Sequence, residues 1–258
     1  MSIISRTIEN IRLYYHFVGR RMGLPSCQIH QIYLPDQQLI YIPIPKNACT
    51  SVKQALHEIE FGNIFNTDLE PYNEYQDVHD YYHKRPYAFT SIEKLQKRTD
   101  AVRFAVIRDP VKRLISCYRN RVVELGDLEK TSSALKSKGL PVKPDLNTFV
   151  LRLKAYRRAN KSIEHHSRPQ HTFLGNSLSY IDHIFLLNQM KAVEDMLKKF
   201  KADLRIRKIK SGGVTYGLQD LSEEALEFAL TFYQKDYSLF DNYFSPSKVR
   251  EQYYNGIE

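Results

Sequence analysis

Lys46, Thr50 and Ser51 stand together in the stretch Tyr41-Ile42-Pro43-Ile44-Pro45-Lys46-Asn47-Ala48-Cys49-Thr50-Ser51. An apolar run from Leu39 to Ile44 precedes them, and a segment with helical spacing from Val52 to Ile59 follows. A strand, a tight polar loop and a helix N-terminus together make an anion site, because free backbone N–H groups and the positive end of the helix dipole converge there. Lys46 adds a full charge and the two hydroxyls add donors. The loop reads as a cradle for the phosphate or sulfate end of a nucleotide; the plain alternative is a strand-to-helix turn capped by Thr50 or Ser51. It is not a Walker A loop, which needs glycines and places its lysine just before the terminal hydroxyl residue.

A second group follows a second apolar run, Arg103 to Ile107. It ends in Arg108-Asp109-Pro110, where Asp109 suits a helix N-cap and Pro110 the first helical position. Arg108 then lies at the carboxyl end of a strand, where open α/β sheets bind ligands. With Ser116 farther along the helix, it has the chemistry to hold a phosphate. Between the two groups lies Val78-His79-Asp80-Tyr81-Tyr82-His83. Two histidines four apart share a helix face and resemble a zinc-protease motif, but Asp80 stands where that motif has its glutamate base. A general base is the better reading, because an ordinary imidazole titrates near neutral pH. A structural histidine is the bland one.

The elements that must position these groups alternate strand and helix, which predicts an α/β fold. A third strand is expected at Tyr180 to Leu187. Helices are expected at 111–121, 146–158, 190–201 and 221–240, the last opened by Ser222-Glu223-Glu224. Residues 3–19 space apolar side chains as an amphipathic helix, better suited to packing on the domain than to a membrane surface. The polar, basic stretch 126–146 reads as a mobile lid, an acceptor-binding loop or a surface insertion. Ser211 to Thr215 reads as a flexible loop.

The chain has 258 residues, enough for one α/β domain, and 42% hydrophobic residues can fill its core. The net charge of +9 predicts an anionic partner. Arg152, Lys154, Arg157 and Arg158, with His165, His166, Arg168 and His171, read either as a groove for an acidic glycan or as a solvated face. Cys27, Cys49 and Cys117 are widely spaced and suggest neither a disulfide framework nor a zinc site. No run reaches the length of a membrane span, and charged residues interrupt residues 1–21, unlike a signal peptide. The expected setting is reducing and cytoplasmic, with membrane contact at most peripheral.

The segments Ile44 to Lys53 and Phe104 to Asn120 resemble, in this order, the 5′-phosphosulfate loop and the 3′-phosphate motif of the family 2 carbohydrate sulfotransferases, among them those acting on heparan and chondroitin. The second carries an almost complete Arg-Asp-Pro-x-x-Arg-Leu-x-Ser-x-Tyr pattern. His166-Ser167-Arg168-Pro169-Gln170 and the helix ending Tyr237-Ser238-Leu239-Phe240 resemble later elements of the same family. The resemblance covers residues 38–243. Val52 departs from it, since many relatives carry tryptophan there.

The resemblance implies a three-layer, P-loop-like fold with a central parallel sheet flanked by helices, in a single sulfotransferase domain. It implies 3′-phosphoadenosine-5′-phosphosulfate as sulfuryl donor and a carbohydrate hydroxyl as acceptor. Lys46 would stabilise the leaving oxygen, and Asn47, Ala48, Cys49, Thr50 and Ser51 would hold the 5′-phosphate. Arg108 and Ser116 would hold the 3′-phosphate. The base would be His79 or His83, with Glu74 and Asp77 as alternatives. Sulfuryl transfer carries less charge than phosphoryl transfer, so no metal is required. Relatives anchored in the Golgi make that lumen the alternative location. Two rival functions remain: a non-catalytic binder of acidic glycan or nucleic acid through the basic surface, and a nucleotide-dependent kinase, against which the missing Walker A signature counts.

Overall fold

The computed structural model describes residues 28–207 and 214–256. The expected helix at 3–19, Cys27 and most of the expected loop at Ser211 to Thr215 lie outside them. The first described strands are β1 (Gln28–His30), β2 (Ile32–Leu34) and β3 (Leu39–Ile42). Helix α1 (Cys49–Phe61), helix α2 (Val78–Lys84), strand β4 (Phe89–Ser91) and helix α3 (Ile92–Lys97) follow. Then come strand β5 (Val102–Ile107) and helix α4 (Pro110–Cys117), which opens into a π-helical segment, Tyr118–Glu124.

The main sheet has the order β2-β3-β5 with β6 (His183–Leu186) at its other edge. β3 pairs parallel to β5, with Ile42 beside Ala105, and β5 pairs parallel to β6, with Ala105 beside Ile184. β2 runs antiparallel to β3, with Ile32 opposite Tyr41. The sheet is therefore mixed, where the sequence predicts a parallel one. The short connection at Pro35 to Gln38 turns the chain straight back, and only a crossover of a dozen residues or more makes neighbours parallel. β1 and β4 form a separate antiparallel pair.

β3 and the second half of β5 are buried along their whole length, so their sequences read as unbroken apolar runs. Alternate side chains serve opposite faces. Tyr41, Phe104 and Val106 pack with Val52, Leu56, Tyr82, Val193 and Leu197. Ile40, Ile42, Ala105 and Ile107 pack with Leu95, Phe173, Tyr180 and Phe240. Helices thus cover both faces of the sheet.

The helices after the π segment build a third core, except the two that carry Phe173 and Val193, which cover the sheet. They are α5 (Ser132–Lys136), α6 (Leu146–Leu151), α7 (Leu153–Ala159), α8 (Lys161–Ser167) and α9 (His171–Leu174). α10 (Met190–Leu197), α11 (Glu223–Phe232), α12 (Gln234–Leu239) and α13 (Pro246–Asn255) complete the set. The single helix expected at 146–158 is broken at Arg152, and the one expected at 221–240 at Tyr233. In the stretch 126–146, Leu128, Leu135, Leu140 and Leu146 are buried in this core.

Candidate functional site

The Lys46 loop leaves the carboxyl end of β3, and Arg108 leaves the carboxyl end of its parallel neighbour β5. Parallel pairing alone brings them to one edge of the sheet, the edge where such sheets bind ligands. Lys46 and Ala48 both have positive φ, 71° and 56°. This backbone is strained by about 1–3 kcal/mol for each non-glycine residue. It turns the chain tightly from β3 into the first turn of α1, with the Asn47 N–H donating to the Ile44 carbonyl at 3.3 Å. Helix α1 begins at Cys49, earlier than the sequence predicts, so Thr50 and Ser51 ride on its first turn. That helix start has no side-chain cap and no acidic residue in its first turn. Its leading N–H groups are left for a ligand.

Asn47 is fully buried. Its Nδ2 donates to the Val106 carbonyl at 2.9 Å and to Gln170 Oε1 at 2.7 Å. Its backbone N–H is taken by the Ile44 carbonyl, so Asn47 works as a brace of the loop. Gln170 Oε1 also accepts from the Arg108 backbone N–H at 3.3 Å, and Gln170 Nε2 donates to the Arg108 carbonyl at 2.7 Å. One amide thus holds both loops. Gln170 is anchored in turn by Asp236, which accepts from the N–H groups of Gln170 and His171 and pairs with His171 Nδ1. Arg113, also fully buried, donates to the carbonyls of Pro45 and Arg168 at 2.8 Å each. Asp109 caps α4 through the N–H groups of Val111 and Lys112, as its sequence predicts, and accepts from Tyr237 Oη.

Within this frame Lys46, Lys53, Arg108 and Arg113 have no carboxylate partner among the described residues. Burial lowers the Lys46 ammonium to about 8, and Arg108 and Arg121 push the same way. Burial, then Arg113 and Arg119, lower Arg108 to about 10. A cluster of desolvated cations without counter-ions is costly, and an anion entering it relieves that cost. Lys46 Nζ donates to Asn120 Oδ1 at 2.7 Å, and Arg108 Nη1 to the Lys46 carbonyl at 3.4 Å. Asn120 sits on the π segment and is held by Glu124, which also takes Arg119. Ser116 is half-buried on α4.

The two candidate histidines part company. His79 turns toward the loop: Nε2 lies 2.8 Å from Thr50 Oγ1 and Nδ1 lies 3.2 Å from Lys53 Nζ. Burial, then Lys53, lower its pKa to about 4. His83 instead lies tilted against His30 and edge-on to Phe89, with ring centroids 5.2 and 4.9 Å away. Asp77 is the N-cap of α2 and accepts from the N–H groups of His79 and Asp80. Glu74 is exposed on a short 3-10 turn. The basic groove expected downstream is partly consumed. Glu164 takes Arg157 and Arg168, and His171 belongs to the Asp236 network. His165 is open to solvent yet lowered to about 4 by the protein around it and by Arg168.

Asn120, Lys53 and Asp236 are given no role by the sequence reading, and Arg113 enters it only as the second arginine of the quoted pattern. Lys53 and Arg113 carried one usable signal: each is a cation on the apolar-facing side of its helix. Asn120 carried none, because its position depends on the π turn.

A model of the sulfotransferase family matches residues 30–244. The chain belongs to the sulfotransferase family. Over 103 residues this family member is 30% identical to carbohydrate sulfotransferase 11 of Danio rerio, a match covering 40% of this chain and 29% of the relative. The proteins of the same name from Rattus norvegicus and Mus musculus are each 29% identical over 107 residues, covering 41% of this chain and 30% of theirs. The chain thus spans about three tenths of the length of these relatives. No solved structure matches. Among the described residues no helix is long and apolar enough to cross a membrane.

Proposed function

We propose that this sulfotransferase family member moves a sulfuryl group from 3′-phosphoadenosine-5′-phosphosulfate to a hydroxyl of a carbohydrate. The observation that carries the reading is the pair Lys46 and Arg108, both without carboxylate partners, at the ends of adjacent parallel strands. The uncapped start of α1 and the positive-φ loop fit a 5′-phosphosulfate, and the Arg108 guanidinium, with Ser116, fits a 3′-phosphate. The donor supplies an activated sulfuryl group. The backbone from Ala48 to Ser51 and the Thr50 hydroxyl hold its 5′ end, and Lys46 neutralises the oxygen that leaves. Positioning and charge stabilisation supply most of the rate in such in-line transfers.

His79 is our choice of base over His83. Its ring reaches the loop residue Thr50, whereas the ring neighbours of His83 are His30 and Phe89. The carbohydrate acceptor rests on the likeness to carbohydrate sulfotransferases and on the basic surface. The compartment follows the acceptor, cytoplasm or Golgi lumen. Free thiols at Cys49 and Cys117 suit a reducing one.

Calorimetric titration with 3′-phosphoadenosine-5′-phosphate tests the reading, with AMP and ATP–Mg²⁺ as controls. Tight, metal-independent binding of the bisphosphate alone supports it. No binding of the bisphosphate, with salt-sensitive affinity for heparin or nucleic acid, favours the second reading, a binder working through the net charge of +9.

A further inference from the structure

Lys53 is buried in helix α1, 3% exposed, with its ammonium 3.2 Å from His79 Nδ1. An ammonium has three N–H donors and no lone pair. A contact with a ring nitrogen therefore requires the lone pair to lie on that nitrogen. A neutral imidazole with a bare Nδ1 carries its proton on Nε2. That nitrogen then donates to Thr50 Oγ1 at 2.8 Å. In this arrangement His79 has no lone pair facing the loop and accepts no proton there.

We propose that Lys53 sets which nitrogen of His79 bears the proton, and that His79 becomes a base only when Lys53 is a neutral amine. The inference deepens the reading of His79 as base and rests on it for its catalytic meaning. With Lys53 neutral, the amine lone pair accepts from Nδ1–H, and Nε2 is bare toward Thr50 and the site of transfer. The acceptor hydroxyl then gives its proton to Nε2, and Nδ1 passes its own to the Lys53 amine. An ammonium and a neutral imidazole result, and no proton is left over. Lys53 is a positioning residue here, acting through His79.

The surroundings favour both steps. Burial is the main cause lowering Lys53, so the neutral amine is reached below the ordinary lysine range, with Cys49 and Asp77 opposing. The charged and titratable groups facing His79 are Lys53 from α1, Asp77 from its own helix cap, His165 from α8 and Arg121 from the π segment. His30 of β1 also feels Lys53. Three of the four groups acting on His79 oppose a charged ring, and only Asp77 favours it. The imidazole therefore stays neutral and the tautomer is the variable.

The test is the ¹⁵N spectrum of the ring nitrogens in the full chain, labelled at histidine and free of nucleotide, with His79 assigned by His79→Gln. Wild type should show the proton on Nε2 near neutral pH and convert to Nδ1–H as pH rises. Lys53→Arg, a permanent cation, should hold Nε2–H throughout. Lys53→Met should give a tautomer mixture independent of pH. At a pH where the wild type shows Nδ1–H, turnover should fall about 100-fold in Lys53→Arg, the scale of a lost general base, and less in Lys53→Met. Nδ1–H in the wild type near neutral pH, or a wild-type tautomer that pH leaves unchanged, overturns the proposal; once His79 is assigned, both are read on the wild type itself. Failure of bisphosphate binding would overturn the proposed function and leave these spectra as they are.

Discussion

The side chains of Asn47 and Gln170 meet at 2.7 Å although 123 positions separate them. The bond fixes the Lys46 loop to the same amide that brackets both backbone groups of Arg108. The Lys46 and Arg108 loops are therefore one unit, whose spacing is set inside the core. A preset spacing suits a donor with charges at both ends, because little ordering remains to be done on binding.

Lys46→Ala should lower turnover by about 100- to 1000-fold, roughly 3–4 kcal/mol of transition-state stabilisation. Affinity for 3′-phosphoadenosine-5′-phosphate should change only a few fold. Single-turnover rates with calorimetry separate the two, and unchanged turnover removes Lys46 from the mechanism.

Arg108→Ala should weaken the bisphosphate by one to two powers of ten, while AMP, which lacks the 3′-phosphate, loses little. Equal losses for the two ligands would send the 3′-phosphate assignment elsewhere. Charge-assisted bonds of this kind contribute about 1.5–3 kcal/mol each.

Burial holds Lys46 at about 8. If its ammonium is the working form, kcat/KM falls as pH rises through that value, because deprotonation removes the charge. Asn120→Asp places a carboxylate where the 2.7 Å contact now lies. An anion there favours the charged lysine and moves the falling limb upward by a unit or more. An unmoved limb would show that another group sets it.

Asp236 is fully buried and satisfies three donors of Gln170 and His171. Asp236→Ala should cost about 3 kcal/mol or more, since those donors keep their burial and lose their acceptor. Urea midpoints measure this, with exposed Asp241→Ala as a control expected within about 0.5 kcal/mol of wild type. Bisphosphate affinity should fall with the first variant, because Gln170 loses its anchor.

Much of the frame was legible because local rules govern it. Apolar runs marked β3 and β5, and Asp109-Pro110 marked the start of α4, since capping acts within a few residues. The resemblance pointed to Lys46 and Arg108, and parallel pairing brings them to one edge. What stayed hidden is non-local. A π turn after Cys117 shifts the side-chain register and delivers Asn120 to Lys46; nothing in 118–124 announces it. Lys53 shows by its place on the apolar side of α1 that it is buried, but not that its partner is His79, which only the packing of α2 supplies. The side chain of Asn47 reads as a ligand group until Gln170 arrives from far along the chain. The antiparallel β2 and the breaks at Arg152 and Tyr233 come from tertiary packing, which overrides helix and strand preference.

The long reach of Gln170 and Asp236 also orders events in time. During synthesis the chain grows from its N-terminal end, and the Lys46 and Arg108 loops are both made before Ser116. Gln170 follows later, and the carboxylate that pins it comes later still, on α12. A nascent chain, or one cut short of Asp236, carries every residue that would touch the donor and lacks the clamp that holds them in register. The Lys46 and Arg108 loops therefore reach their fixed spacing only after α12 has been made and has docked on Gln170.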